Sequence, residues 1–331
     1  MSNRPALLTD IDTAARLLKA QKLVAFPTET VFGLGADATS AEAIEQVFVA
    51  KGRPADNPLI VHIGSLEQWD LVAESLSPLA LQLLRSYSPG PLTVVVRRKK
   101  SIVDAVTGGL PTVGIRIPNH PIAQQLLLKA GLPVAAPSAN RSGKPSCTTW
   151  KSVQEDFVGR IDAILAYDCQ GCGLESTVVD CTGEKARVLR PGAITEQMLL
   201  DANIPMVDDH IASGHGVEPV LSPGTRYPHY QPQACVILLE SEQCLHRQSH
   251  EINLKCATYA GIGPVPQSSK FLLCREFPDI DEYAKNFYEF LRTSDRLGAQ
   301  YILLQLTATS GIGGALRDRQ LRAASKYVTD S

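Results

Sequence analysis

Residues 112–136 read TVGIRIPNHPIAQQLLLKAGLPVAA. Three segments follow one another here. Thr112 to Ile117 is strand-like, His120 to Ala130 is helical in pattern, and Pro133 to Ala136 is a brief strand. The same alternation continues toward the N-terminus. Leu92 to Arg97 and Leu59 to Ile63 read as strands, and Ala41 to Ala50 as a helix. Leu23 to Phe26 is a short buried-strand run stopped by Pro27. Asp10 to Gln21 places Ile11, Ala14, Ala15 and Leu18 at helical spacing, with Thr9 or Asp10 as cap. Toward the C-terminus, Val178 to Cys181 and Ala186 to Leu189 form a strand pair around Thr182-Gly183-Glu184. Strands and helices mixed in this way predict an α/β sheet with helices packed on it.

The character changes between Asp208 and Gln233, where Gly, Pro, Ser and His dominate. This is linker chemistry, long enough to be a functional loop. A second βα pattern follows. Cys235 to Leu239, Cys256 to Ala260, Phe271 to Cys274 and Tyr301 to Gln305 are strand-like, and Asp281 to Arg292 and Gly313 to Ser325 are helix-like. The expected organisation is a first domain over 1–205, a linker or lid over 206–233 and a second domain over 234–331. A length of 331 residues suits two domains.

Hydrophobic residues make up 44% of the chain and charged residues 20%, a globular profile. The formal net charge is -2; charges balance over 1–205 and the deficit falls in the remainder. Neither part has the basic excess of a protein that coats nucleic acid. No apolar run is long enough for a membrane span, and Met1 to Asp10 lacks a basic and apolar leader. Eight cysteines without a secretory segment predict free thiols in a reducing cytoplasm.

Polar and charged residues gather beside the expected strand ends, where open α/β sheets hold ligands. Lys51 and Arg53 flank Gly52 on a segment read as irregular and stiffened by Pro54 and Pro58. Two such cations suit a polyphosphate, or belong to an ordinary solvated loop. Arg116 lies between Ile115 and Ile117. An inward-facing Arg needs an anion; the alternative is a strand with one solvent face. Ser138, Asn140, Ser142 and Ser146 are phosphate donors or members of a Ser/Asx turn.

Other motifs point elsewhere and fail. Gly33-Leu34-Gly35 and Gly311-Ile312-Gly313-Gly314 are incomplete dinucleotide fingerprints, which excludes a dehydrogenase. Cys169 and Cys172 form a single C-x2-C without the second pair that a zinc site wants. His246 and His250 enclose Arg-Gln-Ser, not the metalloprotease pattern. Arg97-Arg98-Lys99-Lys100 reads as a solvated strand end, with a weak RNA contact as the minority reading. Neither a nucleophile elbow nor a Walker loop is present.

Taken together these segments resemble the Sua5/YrdC family of threonylcarbamoyl-AMP synthases. Lys51-x-Arg53 with Ser138-x-Asn140 matches the family's signature pair. Pro27-Thr28-Glu29-Thr30, Arg53-Pro54-x-Asp56-Asn57-Pro58-Leu59, Gly114-Ile115-Arg116-Ile117-Pro118, Glu175-Ser176-Thr177-Val178 and Arg190-Pro191-Gly192 match its pattern. The Ser222-Pro223-Gly224 linker and the C-terminal domain resemble the longer, Sua5 form. Phe32, Cys147, Cys169 and Cys172 depart from the usual residues without touching the signature pair.

The resemblance implies a YrdC-like twisted mixed sheet with helices and a concave positive groove, plus a small Rossmann-like α/β C-terminal domain. It implies synthesis of threonylcarbamoyl-AMP and pyrophosphate from L-threonine, bicarbonate or CO2, and ATP with Mg2+, with no metal held tightly by the protein. The product would pass to the machinery that modifies tRNAs reading ANN codons. Carried over by position, Lys51 and Arg53 are the catalytic cations. Arg53, Asn57, Thr112, Ser138, Asn140, Ser146, Arg190 and Tyr230 (or Tyr227) hold ATP. Thr30, His62, Arg116, Ala136 and Ser176 hold L-threonine. The linker would be a lid that shields the unstable carbamate. A nucleic-acid module, a hydrogenase-maturation carbamoyltransferase with zinc-finger pairs and an inactive regulatory domain are the rival readings; charge balance, missing zinc pairs and the intact signature oppose them in turn.

Overall fold

The computed structural model describes residues 4–54, 57–207, 230–265 and 268–329. Two compact units account for the chain. The first comprises Met1–Ser142, Cys147–Gly171 and Glu175–Tyr227; the second comprises Gly143–Ser146, Cys172–Leu174 and Pro228–Ser331. Most of the expected linker, with Ser222-Pro223-Gly224 and Tyr227, lies outside the described residues, as does Asp56.

Ten strands of the first unit form one mixed sheet: β1 (Ala6–Leu8), β2 (Val24–Phe26), β3 (Gly33–Asp37), β4 (Ile60–His62), β5 (Leu92–Arg97), β6 (Thr112–Arg116), β7 (Val134–Ala135), β8 (Ala163–Leu165), β9 (Thr177–Asp180) and β10 (Arg187–Arg190). Their order is β1-β8-β2-β3-β7-β4-β6-β5-β9-β10. The helices most relevant to the site are α1 (Ile11–Lys19), α2 (Ala41–Lys51), α3 (Pro78–Tyr87), α4 (Asp104–Thr107) and α5 (Pro121–Ala130). Asp10 caps α1 by accepting from the backbone N–H of Asp12 and Thr13.

The period of two along each strand sorts residues onto two faces. Between β5 and β6, Val94 pairs with Ile115 and Val96 with Val113 on one face. These four join Val61, Val179, Ile44, Val47, Leu83 and Leu84 in the main core, so α2 and α3 cover this side. Each such fully buried aliphatic side chain contributes about 1.5–3 kcal/mol. Thr93 pairs with Arg116, Val95 with Gly114 and Arg97 with Thr112 on the other face. There α1 and α5 pack Ala14, Leu18, Leu126 and Leu127 on Val24, Phe26 and Val134. Across β4, β5, β6 and β9 that face instead carries a small apolar cluster of Ile60, Val95 and Val178. Beside the cluster run the polar residues His62, Arg116 and Thr93, in register across β4, β6 and β5.

The second unit has a five-stranded sheet of β11 (Cys235–Leu239), β12 (Ala257–Ile262), β13 (Leu273–Phe277), β14 (Tyr301–Gln305) and β15 (Lys326–Val328). The order is β13-β12-β14-β11-β15, with every pairing parallel. Helices α8 (Glu242–Glu251), α9 (Ile280–Arg296) and α10 (Gly311–Ala323) connect these strands. A mixed sheet with helices and a separate parallel sheet is the α/β class expected.

Several elements were not anticipated. Strands β1, β8 and β15 have three residues each, too few for a period to emerge. The short helices α4, α6 (Trp150–Asp156) and α7 (Glu196–Asp201) escaped for the same reason, and α8 because its mean hydropathy is low. Helix α3 carried a readable signal: Ser77 accepts from the Ala80 N–H, Pro78 opens the helix, and Leu79, Ala80, Leu83 and Leu84 are buried at helical spacing. Gly33-Leu34-Gly35, rejected above as a dinucleotide fingerprint, lies in strand β3 between β2 and β7. A Cβ at Gly35 would lie 2.9 Å from Phe26 Cε1 and 3.0 Å from Val134 Cγ1, so glycine serves sheet packing there. Gly35→Val is expected to destabilise the first unit by about 1–3 kcal/mol through overpacking, and Gly35→Ala by less. Urea midpoints of the two variants check this; an unchanged midpoint for the valine variant refutes the packing role.

Candidate active site

Arg116 is the last residue of β6 and is 5% exposed. Its Nη2 donates to Glu29 Oε1 at 2.8 Å and to Thr30 Oγ1 at 2.8 Å. The acceptors come from Pro27-Thr28-Glu29-Thr30, the loop that follows β2. Proton directions along this loop follow from the partners. Thr28 Oγ1 donates to the Val31 carbonyl at 2.7 Å, so it must accept from Thr30 Oγ1, 2.8 Å away. Thr30 in turn accepts from Arg116. A buried charge is thus matched by a buried countercharge and a hydroxyl relay. The inward-facing reading of Arg116 holds, with one correction: the chain supplies an anion itself, as Glu29. Glu29 was not among the residues expected to bind a ligand. Its one signal was an acid between two threonines in an otherwise apolar stretch.

His62 ends β4 in register with Arg116 and is 3% exposed. Burial, and then the nearby Arg116 charge, lowers its pKa to about 3, so the ring is neutral near pH 7. Phe26 meets the ring edge-on, with centroids 6.1 Å apart. Among the described residues, His62 Nδ1 and Arg116 Nε are buried without a hydrogen-bond partner. Natural interiors rarely tolerate such atoms, so a polar ligand or water is implied. Ala136 lies on the same side of the structure, its N–H donating to the Ile60 carbonyl at 2.9 Å.

The row continues from Arg116 to Thr93. Thr93 Oγ1 and Ser176 Oγ are 2.8 Å apart. Arg190, at the end of β10, forks onto the Ser176 carbonyl through Nε at 3.1 Å and Nη2 at 2.9 Å, and Nη2 also reaches Ser176 Oγ at 3.2 Å. Thr30, His62, Arg116, Ser176 and Arg190 therefore belong to one connected group. Thr112 opens β6 opposite Arg97 and is half-buried.

Lys51 departs from its sequence reading. It is the final residue of α2, not part of an irregular loop, and Gly52 ends the helix at φ 65°. The ammonium is buried, with Nζ donating to the Ser138 carbonyl at 2.5 Å and the Asn140 carbonyl at 2.7 Å. Burial first, and then the Arg53 charge, holds its pKa well below the usual lysine range. Ser138 Oγ donates to Asn140 Oδ1 at 2.6 Å, and Asn140 Nδ2 to the Arg141 carbonyl at 2.8 Å. These bonds fold the 138–141 loop onto itself. Gly33 and Ser138 form a β-bridge, which sets this loop beside the one carrying Thr30.

Arg53 Nη2 donates to the Asn57 and Pro58 carbonyls at 3.3 and 3.2 Å. The Asn57 side chain is 1% exposed, and both amide atoms lack a partner among the described residues. Ser146 and Tyr230 belong to the second unit. There the Ser146 carbonyl accepts from Arg292 Nε at 3.4 Å, and the Tyr230 ring stands 5.1 Å from Tyr288. Among the described residues no group of three or more His, Cys, Asp or Glu is arranged to hold a metal. No helix among them is long and apolar enough to cross a membrane.

Comparison with known proteins gives this arrangement a context. Residues 16–192 match the Sua5/YciO/YrdC family model, described as telomere recombination. Residues 194–325 match the model of the threonylcarbamoyl-AMP synthase C-terminal domain. The chain is 40% identical over 325 residues to the threonylcarbamoyl-AMP synthase of Pyrococcus abyssi, covering 96% of this chain and 94% of the relative. It is 36% identical over 327 residues to that of Bacillus subtilis, with the same two coverages. The crystal structure of P. abyssi Sua5 complexed with L-threonine superposes with a TM-score of 0.85 at 37% identity, over 96% of each chain. The chain belongs to the Sua5/YciO/YrdC family, in the form that also carries the threonylcarbamoyl-AMP synthase C-terminal domain.

Proposed function

We infer that this chain is an L-threonylcarbamoyladenylate synthase, a nucleotidyltransferase that converts L-threonine, bicarbonate and MgATP into threonylcarbamoyl-AMP and pyrophosphate. The observation that carries the reading is the buried polar row on one face of the sheet, where His62 Nδ1 and Arg116 Nε have no hydrogen-bond partner among the described residues. The full-length similarity to named synthases, one of them solved with L-threonine, supports the substrate. The division into a synthase domain over 1–205, a lid over 206–233 and a C-terminal domain from 234 is part of the proposal. So are a cytoplasmic location and delivery of the product to the tRNA-modifying machinery.

The threonine amine nitrogen attacks the carbon of CO2, opening one C=O bond, or the carbon of bicarbonate, which loses water; the nitrogen gives up a proton and the product is a carbamate. A carbamate oxygen then attacks the α-phosphorus of ATP, and the bond from that phosphorus to the pyrophosphate oxygen breaks. Mg2+ enters with the nucleotide as part of the substrate. Arg116 orients the threonine carboxylate, with Thr30, Ala136, Ser176 and neutral His62 shaping the pocket around it. Glu29 fixes the Arg116 guanidinium so that little reorganisation is left for binding. Arg53 and Arg190 offset the charge that gathers on the phosphoryl oxygens. Lys51 adds positive potential while holding the Ser138–Asn140 turn in shape. Asn57, Thr112, Ser138, Asn140, Ser146 and Tyr230 contact the nucleotide.

The decisive assay incubates the chain with ATP, bicarbonate and labelled threonine and follows pyrophosphate and the adenylate by mass spectrometry. Product is expected only with all three substrates, and Arg53→Ala should lower its rate about 100-fold, or about 3 kcal/mol in the barrier. Unaltered turnover by that variant overturns the role of Arg53.

Arg116→Gln strands the Glu29 charge and is expected to cost about 3–5 kcal/mol of stability. Adding Glu29→Gln should restore much of the stability but not the threonine KM. Recovery of a normal KM in the double variant would show that Arg116 acts only as a structural partner.

For His62 the folded pKa lies below the unfolded value of 6.5. Between pH 6.5 and 3 the unfolded chain binds a proton that the folded chain does not. Stability from this residue is therefore full above pH 6.5 and falls as the medium is acidified, by about 3 kcal/mol down to pH 4. His62→Gln is expected to flatten that acid limb in denaturation measured at pH 7 and pH 4; an equally steep limb contradicts it.

A further inference from the structure

Helix α8 carries His246 and His250 four residues apart, so both rings rise from one face. Both residues are exposed. The rings meet edge to face, with centroids 4.8 Å apart and planes at 88°. Their Nε2 atoms are 3.4 Å apart. The metalloprotease pattern is absent here, but that pattern concerns hydrolysis and not metal affinity.

A separation of 3.4 Å is long for a nitrogen-donor hydrogen bond, usually about 2.7–3.2 Å. It suits chelation well. Two metal–imidazole bonds of about 2.1 Å that meet near the tetrahedral angle place their nitrogens about 3.4 Å apart. Exposed rings on a helix face reach such an arrangement by small torsional adjustments. We propose that His246 and His250 form a two-histidine site for a borderline transition-metal ion, Zn2+, Ni2+ or Cu2+, with water completing the coordination shell.

The neighbourhood selects this class of metal. His250 also lines a groove of about 770 Å³ with Asn253, Lys255 and Lys270, and among the described residues no carboxylate lines it. Nearby Glu251 is engaged by Gln248 at 2.8 Å and Lys326 at 3.5 Å. Hard cations such as Mg2+ and Ca2+ want oxygen ligands and find few here. Imidazole suits zinc, nickel and copper, in affinity order Cu2+ above Ni2+. A chelate across one helical turn also ties that turn together, so the bound ion stabilises α8. The site is separate from the residues assigned to the synthase reaction and does not depend on that assignment.

The test is calorimetric titration of the full-length chain with Ni2+, alongside His246→Ala/His250→Ala and His246→Gln/His250→Gln. The comparison among variants is needed because His210, His215, His229 and eight cysteines also offer donors. The native chain should bind one more equivalent of Ni2+ than either double variant, and a single His→Ala change should weaken that equivalent on the order of tenfold or more. Ni2+ should raise the Tm of the native chain by more than that of the variants. The same number of equivalents and the same rise in Tm in either double variant would overturn the site.

Discussion

The buried polar row of the first unit depends on keeping a charged Arg116 inside a sheet. A lone guanidinium there would lose its hydration with nothing in return. Glu29 and Thr30 replace the lost water, and Thr28 orients Thr30. A buried ion pair of this kind is weak evidence for stability, since desolvation offsets much of the attraction. Its value here is geometric. The pair fixes the guanidinium relative to His62 and Thr93, whose register on β4 and β5 sets the width of the row.

The same economy of burial explains the other cation. Lys51 closes helix α2, where the last carbonyls favour positive charge. Gly52 caps the helix, and the ammonium turns to the carbonyls of Ser138 and Asn140. Two buried cations thus find their acceptors from different starting points, Arg116 from a strand and Lys51 from a helix end. The remaining sheet face is spent on the core under α2 and α3. The polar row and the main core are separated by the parity of the strands.

The second unit shows that a parallel sheet needs its own polar accounting. Tyr283 is buried, and its single hydroxyl proton is shared between the carbonyls of Ala260 and Gln305, 3.1 and 3.2 Å away. Gln320 donates to Tyr283 Oη and the Gln305 carbonyl and accepts from the Thr307 N–H. These bonds tie α9 and α10 to the ends of β12 and β14. The incomplete fingerprint at Gly311 therefore opens a helix within a satisfied network; by itself it identifies no nucleotide site.

Continuous apolar runs were legible to their bounds, whereas Phe271 to Cys274, read as a strand, is shifted to Leu273–Phe277. Leu92–Arg97, Cys235–Leu239 and Tyr301–Gln305 occupy the expected bounds because a continuous apolar run needs no partner to be recognised. The three-residue strands at Ala6 and Ala163 hold too little pattern to stand out, while helix α3 was legible and passed over. The α/β class, the spacing of the motif segments and the family were all decided by the order of residues alone. The tertiary structure decided which charge meets which. Arg116 and Glu29 are 87 residues apart, and Lys51 finds its carbonyls 87 and 89 residues away. Local periodicity reports only which way a side chain faces its own strand or helix; partners so distant are chosen by strand order and register, which exist only once the sheet has formed.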